Sequence, residues 1–575
     1  MKGLITFLGY FFFISLTSSF SQSVKTIEGT ILDSTRGEQL SFATVYNLST
    51  NKATITNSEG YFELELSSWQ DTVTVSYVGY KSDTLRLLSS LNRYLIKLKP
   101  SSVKLEMITV IPKEYRFIHQ LLESCKEKRS KNKKTIKAYY QLKSYIENNQ
   151  IELVEAFYNA DIYGYDLLDL KLKSGRVGLR HYESSFFGSL ETSKPLYKHK
   201  LFFSSSNFPT SPLELSAKKM QKRYYLELEK AYVDNNLDSV YVAFLYPKKK
   251  KGNYFSSRVW INASDTSLIK VELQGNSLDL FPLSPIYPDD YLSDKSLKMT
   301  KTFKKVNGET YFQHIDFQYK FNYHKEGKGS FPVETKAVLF TYEEKTPFFI
   351  PFYGIDIAGL TDYQKMAAIP YNEFFWKYND ELKMNEERDH NQAFMNDDNT
   401  VKSYNYLKKQ SSLKRLFDNP VRNWSTQRLA FRELPKQIEY EPNQAPYQLS
   451  GGVFLDYNQY KDSTHILSSS LFDTFKSYYL FHLDYQSNCY INLYFDLIEM
   501  KRRAFFENSP PLQTDEDVRG QYREMLVQMK KTQLRFDREV ERGRNPEEIR
   551  KWNTIIKSAL KIDNLSIFGL EETEK

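Results

Sequence analysis

Over most of the first hundred residues, apolar and polar positions alternate with a period of two and are interrupted at short intervals by turn residues. Thr26-Ile27-Glu28-Gly29-Thr30-Ile31-Leu32-Asp33 reads as a strand and turn, followed by Ala43-Thr44-Val45-Tyr46, the stretch Thr54 to Leu64, and Val73 to Tyr80. Short strands at this spacing, punctuated by Gly and Asn, predict a β-sandwich from about Val24 to Lys99. Gly60 is expected to supply the positive φ of a hairpin turn between Thr56 and Phe62. Beyond Pro100 and Pro112 the period changes. Ile118, Leu121, Leu122 and Cys125 recur at helical spacing, which predicts a helix over about Glu114 to Ser130 with Cys125 facing a core. Long strands with turns are then predicted over Thr135–Leu179 and Asp238–Gln274. One hairpin pairs Ser239–Leu245 with Arg258–Asn262 across a lysine loop.

From Pro370 the pattern shifts again. Tyr371 to Trp376 opens an aromatic helix or turn, and the polar stretch Asn385–Ser403 is expected to be a flexible linker or loop. Gly452 to Tyr457 is strand-like. Val518, Tyr522, Met525, Leu526, Met529, Phe536 and Val540 share one helical face, and Gly543 should end that helix. Asn545 caps the next one, with Pro546 at its first position and Ile549, Trp552, Ile555, Ile556 and Leu560 as its buried face.

The start of the chain bears on its location. Lys2, the apolar run Leu4–Leu16 and the small or polar Thr17, Ser18, Ser19, Ser21 and Gln22 read as a cleavable signal peptide. Its apolar core is too short to span a bilayer, and no later segment reaches 18 uninterrupted apolar residues, so no transmembrane segment is expected after cleavage. The expected location is the periplasm or the outer membrane.

Composition adds class rather than chemistry. The chain has 575 residues, enough for about three or four domains. With 41% hydrophobic and 26% charged residues it is globular, and the 15% aromatic share favours sheet. The net charge of +8 is concentrated in Lys126–Lys137 and Lys248–Lys251, which read as a solvated helix end and a hairpin tip. An exported chain of this kind has no expected nucleic-acid partner. Cys125 and Cys489 exclude a disulfide scaffold and a cysteine zinc site, while leaving one bridge between them open.

Three resemblances sharpen this picture. Glu28–Asp33, Leu40–Val45, Thr56–Phe62 and Val75–Tyr80 together resemble the carboxypeptidase-regulatory-like domain, a transthyretin-like sandwich common in Bacteroidota envelope proteins. That resemblance implies an accessory or docking module; no transporter plug or barrel pattern follows it here. The segment Trp260–Glu272 resembles the strand-turn-strand of periplasmic half-barrel proteins related to lipoprotein carriers. It implies a curved antiparallel sheet from about Lys134 to Phe352, including Tyr311–Phe321 and Glu334–Tyr342.

Phe495–Arg503, Phe536–Asn545 and Trp552-Asn553 resemble a bacterial family of secreted zinc peptidases. Its His-Glu-x-x-His helix directly precedes the Phe-Asp pair. Two histidines four apart would bind Zn²⁺ and the glutamate would activate water. This chain has Tyr490, Ile491, Asn492, Leu493 and Tyr494 there instead, which implies a peptidase-like scaffold without its metal. Asp496, Glu499, Arg502 and Arg503 then read as packing and ion-pair residues.

The remaining signals are weaker. The eight histidines are scattered, with His465, His482 and Asp496 the one set that could converge on a metal. Pro288-Asp289-Asp290 and Asn396-Asp397-Asp398 lack the ligand spacing of a calcium loop, and Asn262-Ala263-Ser264 is a sequon by pattern only. No catalytic, cofactor-binding or metal-binding residue is predicted.

The expected architecture is multidomain and mainly β. Its segments are the signal peptide (1–22), the sandwich (23–100), a linker and helix (101–133), an antiparallel β-rich domain (134–370), an aromatic helix and polar linker (371–446) and an inactive α+β peptidase-like domain (447–575). The expected function is non-catalytic docking to another envelope protein or polymer, with peripheral membrane association left open. The alternatives are a divergent metal-dependent hydrolase and a periplasmic carrier of lipid or hydrophobic peptide.

Overall fold

The computed structural model describes residues 25–570 apart from 51, 58, 90, 102–111, 184, 234–237, 250–252, 286, 328, 343–345, 369, 380–384, 404–416, 418, 430–446, 461–462, 481–482 and 509–513. The expected signal peptide therefore lies outside the described residues. The chain forms two compact units, Met1–Pro100 and Ser101–Lys575. It is mainly β, with helices gathered toward the C-terminus.

In the first unit, β1 (Lys25–Asp33), β2 (Thr44–Asn47), β3 (Lys52–Ile55), β4 (Tyr61–Leu66), β5 (Val73–Ser76), β6 (Asp83–Leu85) and β7 (Arg93–Leu98) make two sheets, ordered β4-β1-β7 and β3-β2-β5-β6. Alternate residues of both meet in one core of Ile27, Ile31, Val45, Phe62, Leu64, Val73, Val75 and Ile96. Gly60 does have a positive φ of 71°. The turn it serves is not a hairpin, however: β3 pairs with β2 and β4 with β1, so the turn carries the chain from one sheet to the other.

The second unit opens with α1 (Pro112–Lys128). A twelve-stranded sheet follows, built mainly from β8 (Lys133–Ile146), β9 (Asn149–Tyr163), β10 (Asp166–Tyr182), the short β11 (Ser185–Phe186), β12 (Tyr224–Val233), β13 (Ser239–Pro247), β14 (Ser256–Asn262), β15 (Ser267–Gly275), β16 (Tyr291–Val306), β17 (Glu309–Lys325) and β18 (Gly329–Tyr342). Their order is β11-β10-β9-β8-β18-β17-β16-β15-β14-β13-β12, and the pairings along it are antiparallel. Between β11 and β12 the chain forms α2 (Leu190–Tyr197) and α3 (Ala217–Arg223). Together with α1 these supply Ile118, Leu122, Cys125, Leu190, Leu196, Tyr197 and Met220 to the core on the sheet's inner face.

After β18 the chain covers part of the other face. First α4 (Asp362–Ala368) adds Tyr363, Met366 and Ala367 to the inner core; the covering layer then contains α5 (Glu373–Tyr378), α6 (Asn385–Asn396), β19 (Thr400–Lys402), β20 (Val421–Asn423), β21 (Tyr447–Gln448), β22 (Gly451–Tyr460), β23 (Ser463–Asp473) and β24 (Tyr478–Tyr479). The helices α7 (Tyr485–Asn508), α8 (Asp515–Glu539), α9 (Pro546–Leu560) and α10 (Asn564–Ile567) complete it. Strand β9 accordingly has thirteen consecutive buried residues, although Glu152, Glu155, Asn159 and Asp161 alternate with its apolar ones.

Glu152 faces inward; Glu155 and Asn159, with Lys173 and Arg176 on β10, face the outer layer and help attach it. Lys173 is 1% exposed; its ammonium pairs with Asp456 on β22 and donates to the carbonyls of Phe349 (2.8 Å) and Tyr457 (3.1 Å). The Arg176 guanidinium donates to Glu155 (2.5 Å), whose other oxygen accepts from Tyr139 (3.1 Å) and from Asn391 on α6 (3.3 Å). The Asn159 amide exchanges two hydrogen bonds with the backbone of Phe348, at 2.8 and 2.9 Å. Phe157 sits among them with Phe348, Phe375 and Trp376 at ring distances of 5.2 to 6.1 Å.

Two expectations are corrected here. Asn385–Ser403 is not a linker: its residues form α6 and β19, and β19 extends the large sheet by pairing with β10. Burial of Phe394 and Met395 against Leu153, and an ion pair between Asp397 and Arg180, outweigh the polar composition. Ile555 is 44% exposed rather than part of the buried face of α9.

Because Lys173 satisfies a buried carboxylate, Lys173→Ala should destabilise the chain by about 3–5 kcal/mol. The double change Lys173→Met with Asp456→Leu should recover most of that loss. Urea unfolding of the three proteins compares them directly, and equal losses in the single and double variants would contradict this account.

Candidate functional site

The large sheet has two faces on which function could reside. Its inner face is occupied by the chain's own helices. The N-terminal end of α2 is held by Glu152, a fully buried carboxylate that accepts from Ser189 N (3.0 Å), Ser189 Oγ (2.6 Å) and Ser144 Oγ (2.7 Å), and also from the Tyr363 hydroxyl. Burial raises its pKa, and these donors oppose the shift. Tyr363 accepts in turn from Leu190 N at 3.0 Å, so one network ties α2, α4, β8 and β9 together.

Deeper on the inner face lies a less satisfied group. Lys301 on β16 is 1% exposed, and its ammonium donates to the His199 carbonyl in the segment after α2. Among the described residues no carboxylate forms an ion pair with it, although the charge of Asp166 acts on it. Burial pushes the lysine down to about 8, raises the Asp166 carboxyl and lowers the His199 imidazole to about 3. The His199 ring lies 4.6 Å from that of Phe208, and its Nδ1 has no hydrogen-bond partner. This is a polar island with spare donors and acceptors inside an apolar interior. It contains no arrangement of nucleophile and base.

The outer face is open at the β12–β15 end, where rings and cations alternate. Tyr225 on β12 and Tyr246 on β13 are directly paired across the strands, 5.3 Å apart, and are 49% and 37% exposed. Phe244 continues the row at 5.3 Å. Lys248 lies 5.1 Å over Tyr225, and the Arg258 guanidinium lies 4.9 Å over Phe244. Arg258 is fixed by a fork to Glu229, with two bonds of 2.8 Å, and by Glu272 at 3.3 Å; Lys270 sits 4.8 Å over Trp260. Strand β12 is also the last strand of the sheet. At its start the Tyr115 hydroxyl donates to Tyr224 O and accepts from Leu226 N, both at 2.9 Å, filling the place of a neighbouring strand. The sequence carried one sign of this surface, the lysine loop beside Tyr246; the ring row depends on β12–β13 register and was not anticipated.

Helix α7 carries Tyr490 to Arg503, the residues singled out by sequence, and their side chains pack or hydrogen-bond within the fold. Tyr490 is buried, stacks on Phe536 at 5.5 Å and donates to Asp537 at 2.8 Å. The Tyr494 hydroxyl accepts from Gln533 at 3.0 Å, and Ile491 is fully buried in the helical core. The Asn492 side chain binds the backbone of Leu429. Asp496 accepts from Trp424 (2.8 Å), Arg428 (2.8 Å) and Asn564 (2.7 Å). Glu499 pairs with Arg502 and Arg503; burial pushes its pKa up, but the two guanidinium groups prevail and hold it below the usual range.

His465 stacks on Phe374 at 4.8 Å, away from the partners of Asp496, and His482 lies outside the described residues. Among the described residues no three His, Cys, Asp or Glu side chains are grouped to hold a metal. Cys125 and Cys489 are both buried and free, and burial pushes each thiol up to about 12. Asp290 accepts from Tyr323 at 2.6 Å, while Asn262 accepts from Ser264 N at 2.9 Å in a tight turn. No described helix is long and apolar enough to cross a membrane.

Residues 27–110 match the family model of the CarboxypepD_reg-like domain, in agreement with the sandwich resemblance. No curated protein matches the chain. Among solved structures it is similar to a LolA superfamily protein from Nitrosomonas europaea (13% identity, 39% of this chain and 93% of that one, TM-score 0.15). It is also similar to a putative outer membrane lipoprotein-sorting protein domain from Vibrio parahaemolyticus (12% identity, 39% and 90%, TM-score 0.15). A third similar structure is the MucA/MucB complex of Pseudomonas aeruginosa (7% identity, 39% and 93%, TM-score 0.15).

The Lys301 island makes a pH prediction. A lysine whose folded pKa is lowered to about 8 costs stability while it is protonated in the folded state. That cost is complete below about pH 8 and is relieved as pH rises from there toward the ordinary lysine value of about 10.4. Lys301→Met should therefore melt higher than the parent at pH 7, with the difference shrinking between pH 8 and 10 in thermal melts. A lower melting temperature at pH 7 would mean that the ammonium stabilises the fold.

Proposed function

We propose that the chain is an exported, non-catalytic envelope protein that docks another envelope protein, and that the Tyr225–Tyr246–Phe244 row is the contact. The observation that carries this reading is the row itself: three rings in register at the edge of a rigid sheet, half-exposed and bracketed by Lys248 and the fixed Arg258 guanidinium. Aromatic rings and arginine dominate the energetics of protein contacts because they bury much area for little lost side-chain freedom. The regulatory-like sandwich supports an accessory role, and the apolar run after Lys2 supports export. The packed tyrosines of α7 support a scaffold without hydrolytic chemistry.

The test is crosslinking in cells. The parent should yield one dominant crosslinked partner, and Tyr225→Ala with Tyr246→Ala should lower its yield at least about tenfold, corresponding to about 1.4 kcal/mol or more. Unchanged yield in a folded double variant would remove the row from the interface, and capture of a glycan in place of a protein would favour the polymer form of the reading.

A second reading, a carrier of lipid or hydrophobic peptide, rests on the Lys301 island beneath the α2–α3 segment, where unused polar atoms face an apolar interior. Organic extraction of protein purified without detergent distinguishes it: a stoichiometric amphiphile supports the carrier. Metal analysis deals with the hydrolase alternative, since stoichiometric zinc would overturn the non-catalytic reading.

A further inference from the structure

Helix α8 packs one face into the core through Val518, Tyr522, Met525, Met529, Gln533 and Phe536. Its opposite face has an unusual composition. Val527 and Leu534 are each 53% exposed. Seven residues apart, they lie within about 20° of each other around the helix and about 10 Å apart along it. Arg523, Lys530, Lys531 and Arg538 are exposed on the same side, within about 60° of that line. Among the described residues none of these four cations has a hydrogen bond or an ion pair. Other cations of the helix are engaged: Arg535 pairs with Glu539 and lies 4.8 Å from the Trp552 ring, and Arg519 lies 4.8 Å from the ring of Phe349. Of the acids flanking this side, Glu516 and Glu524 lie in its N-terminal half, and Asp537, on the other flank, is half-buried and accepts from Tyr490, so the exposed charge of its C-terminal half is positive. The neighbouring chain adds to it: residues 519–561 contain twelve Lys and Arg against six Asp and Glu.

We propose that this face of α8 docks the protein on an anionic lipid surface. Two aliphatic side chains flanked by four exposed cations form a shallow apolar line with a charged border, which is the pattern of a helix lying in the plane of a membrane interface. Lysine and arginine stems can lie along the apolar layer while their heads reach the headgroups. A protein hot spot would instead present an aromatic anchor or a pocket, and this face has neither. The occupant is therefore an anionic headgroup layer, attracted by charge and held by Val527 and Leu534. The contact is peripheral and reversible, and it does not involve the ring row on the large sheet.

The mature full-length chain should co-sediment with phosphatidylcholine vesicles containing about a third phosphatidylglycerol and stay in solution with phosphatidylcholine alone. Binding should fall as salt is raised to about 0.5 M, where screening shortens the reach of the charges. Lys530→Glu with Lys531→Glu should weaken binding by about 25-fold or more, taking about fivefold for each cation. Leu534→Asp should weaken it further, and both proteins should keep the parent's thermal melt because the altered residues are exposed. Tyr246→Ala should leave vesicle binding unchanged, which separates this result from the docking reading. Equal binding to both vesicle types, or no effect of the two charge reversals in a folded protein, would overturn the proposal. Retention of an acidic protein on this face without any vesicle binding would also overturn it.

Discussion

The second unit depends on how charges are buried on the outer side of β9 and β10. A strand face carrying Glu155, Asn159 and Asp161 looks solvated, yet here both faces of the strand are covered. Removing those groups from water costs several kcal/mol for each ion unless partners replace the lost solvent. Lys173 with Asp456, Arg176 with Glu155 and Asn159 with the Phe348 backbone supply them; the first and third cross between the sheet and the layer that follows it, and Glu155, paired within the sheet to Arg176, reaches that layer through Asn391. The apolar contacts of Phe157 give area but little register. The polar bonds fix which part of the later chain sits where, so segments that look separable along the sequence are held in one compact unit.

This division of labour explains what could be read from residue order and what could not. Strands β8–β10 and β13–β15 and the helices α1, α8 and α9 follow from local periodicity, because each has one face that must be buried whatever covers it; β17 and β18 came from the resemblance, and β12 and β16 were not anticipated. Features that depend on a distant partner were misread. Asn385–Ser403 is polar enough to resemble a linker, but Phe394, Met395 and Asn391 find partners on β9, and Thr400–Lys402 finds the edge of β10. Gly60 was recognised as a turn residue by its chemistry, whereas the sheets joined by that turn were set by pairing between strands far apart in sequence. Ile555 fits the helical period of α9, yet no neighbour reaches it.

The candidate surfaces were harder still. The ring row exists because β12 and β13 pair with Tyr225 opposite Tyr246, and a shift of one residue would turn one of them to the other face. Nothing local to either segment sets that register. Helix α7 presents the reverse situation, since its sequence was informative about chemistry. The resemblance read there implied tyrosines and isoleucine at the places of two imidazoles and a carboxylate. The structure adds that Tyr490 and Tyr494 are not vacant replacements: their rings fill the core and their hydroxyls are engaged with Asp537 and Gln533. Restoring ligands there would require dismantling the helical packing around them.

The two buried lysines make the closing contrast. Lys173 has a carboxylate and two carbonyls, so its three donors are matched and its burial is explained by the layer it fastens. Lys301 is equally buried but has one carbonyl, while the imidazole nitrogen of nearby His199 has nothing. Fold maintenance accounts for the first and not for the second, since an apolar side chain would fill the interior at lower cost. The charge of Asp166 and the Phe312 ring at 6.0 Å offset part of that cost. The inner face is thus a packed core closed by the chain's own helices, with one buried cation whose donors are only partly matched.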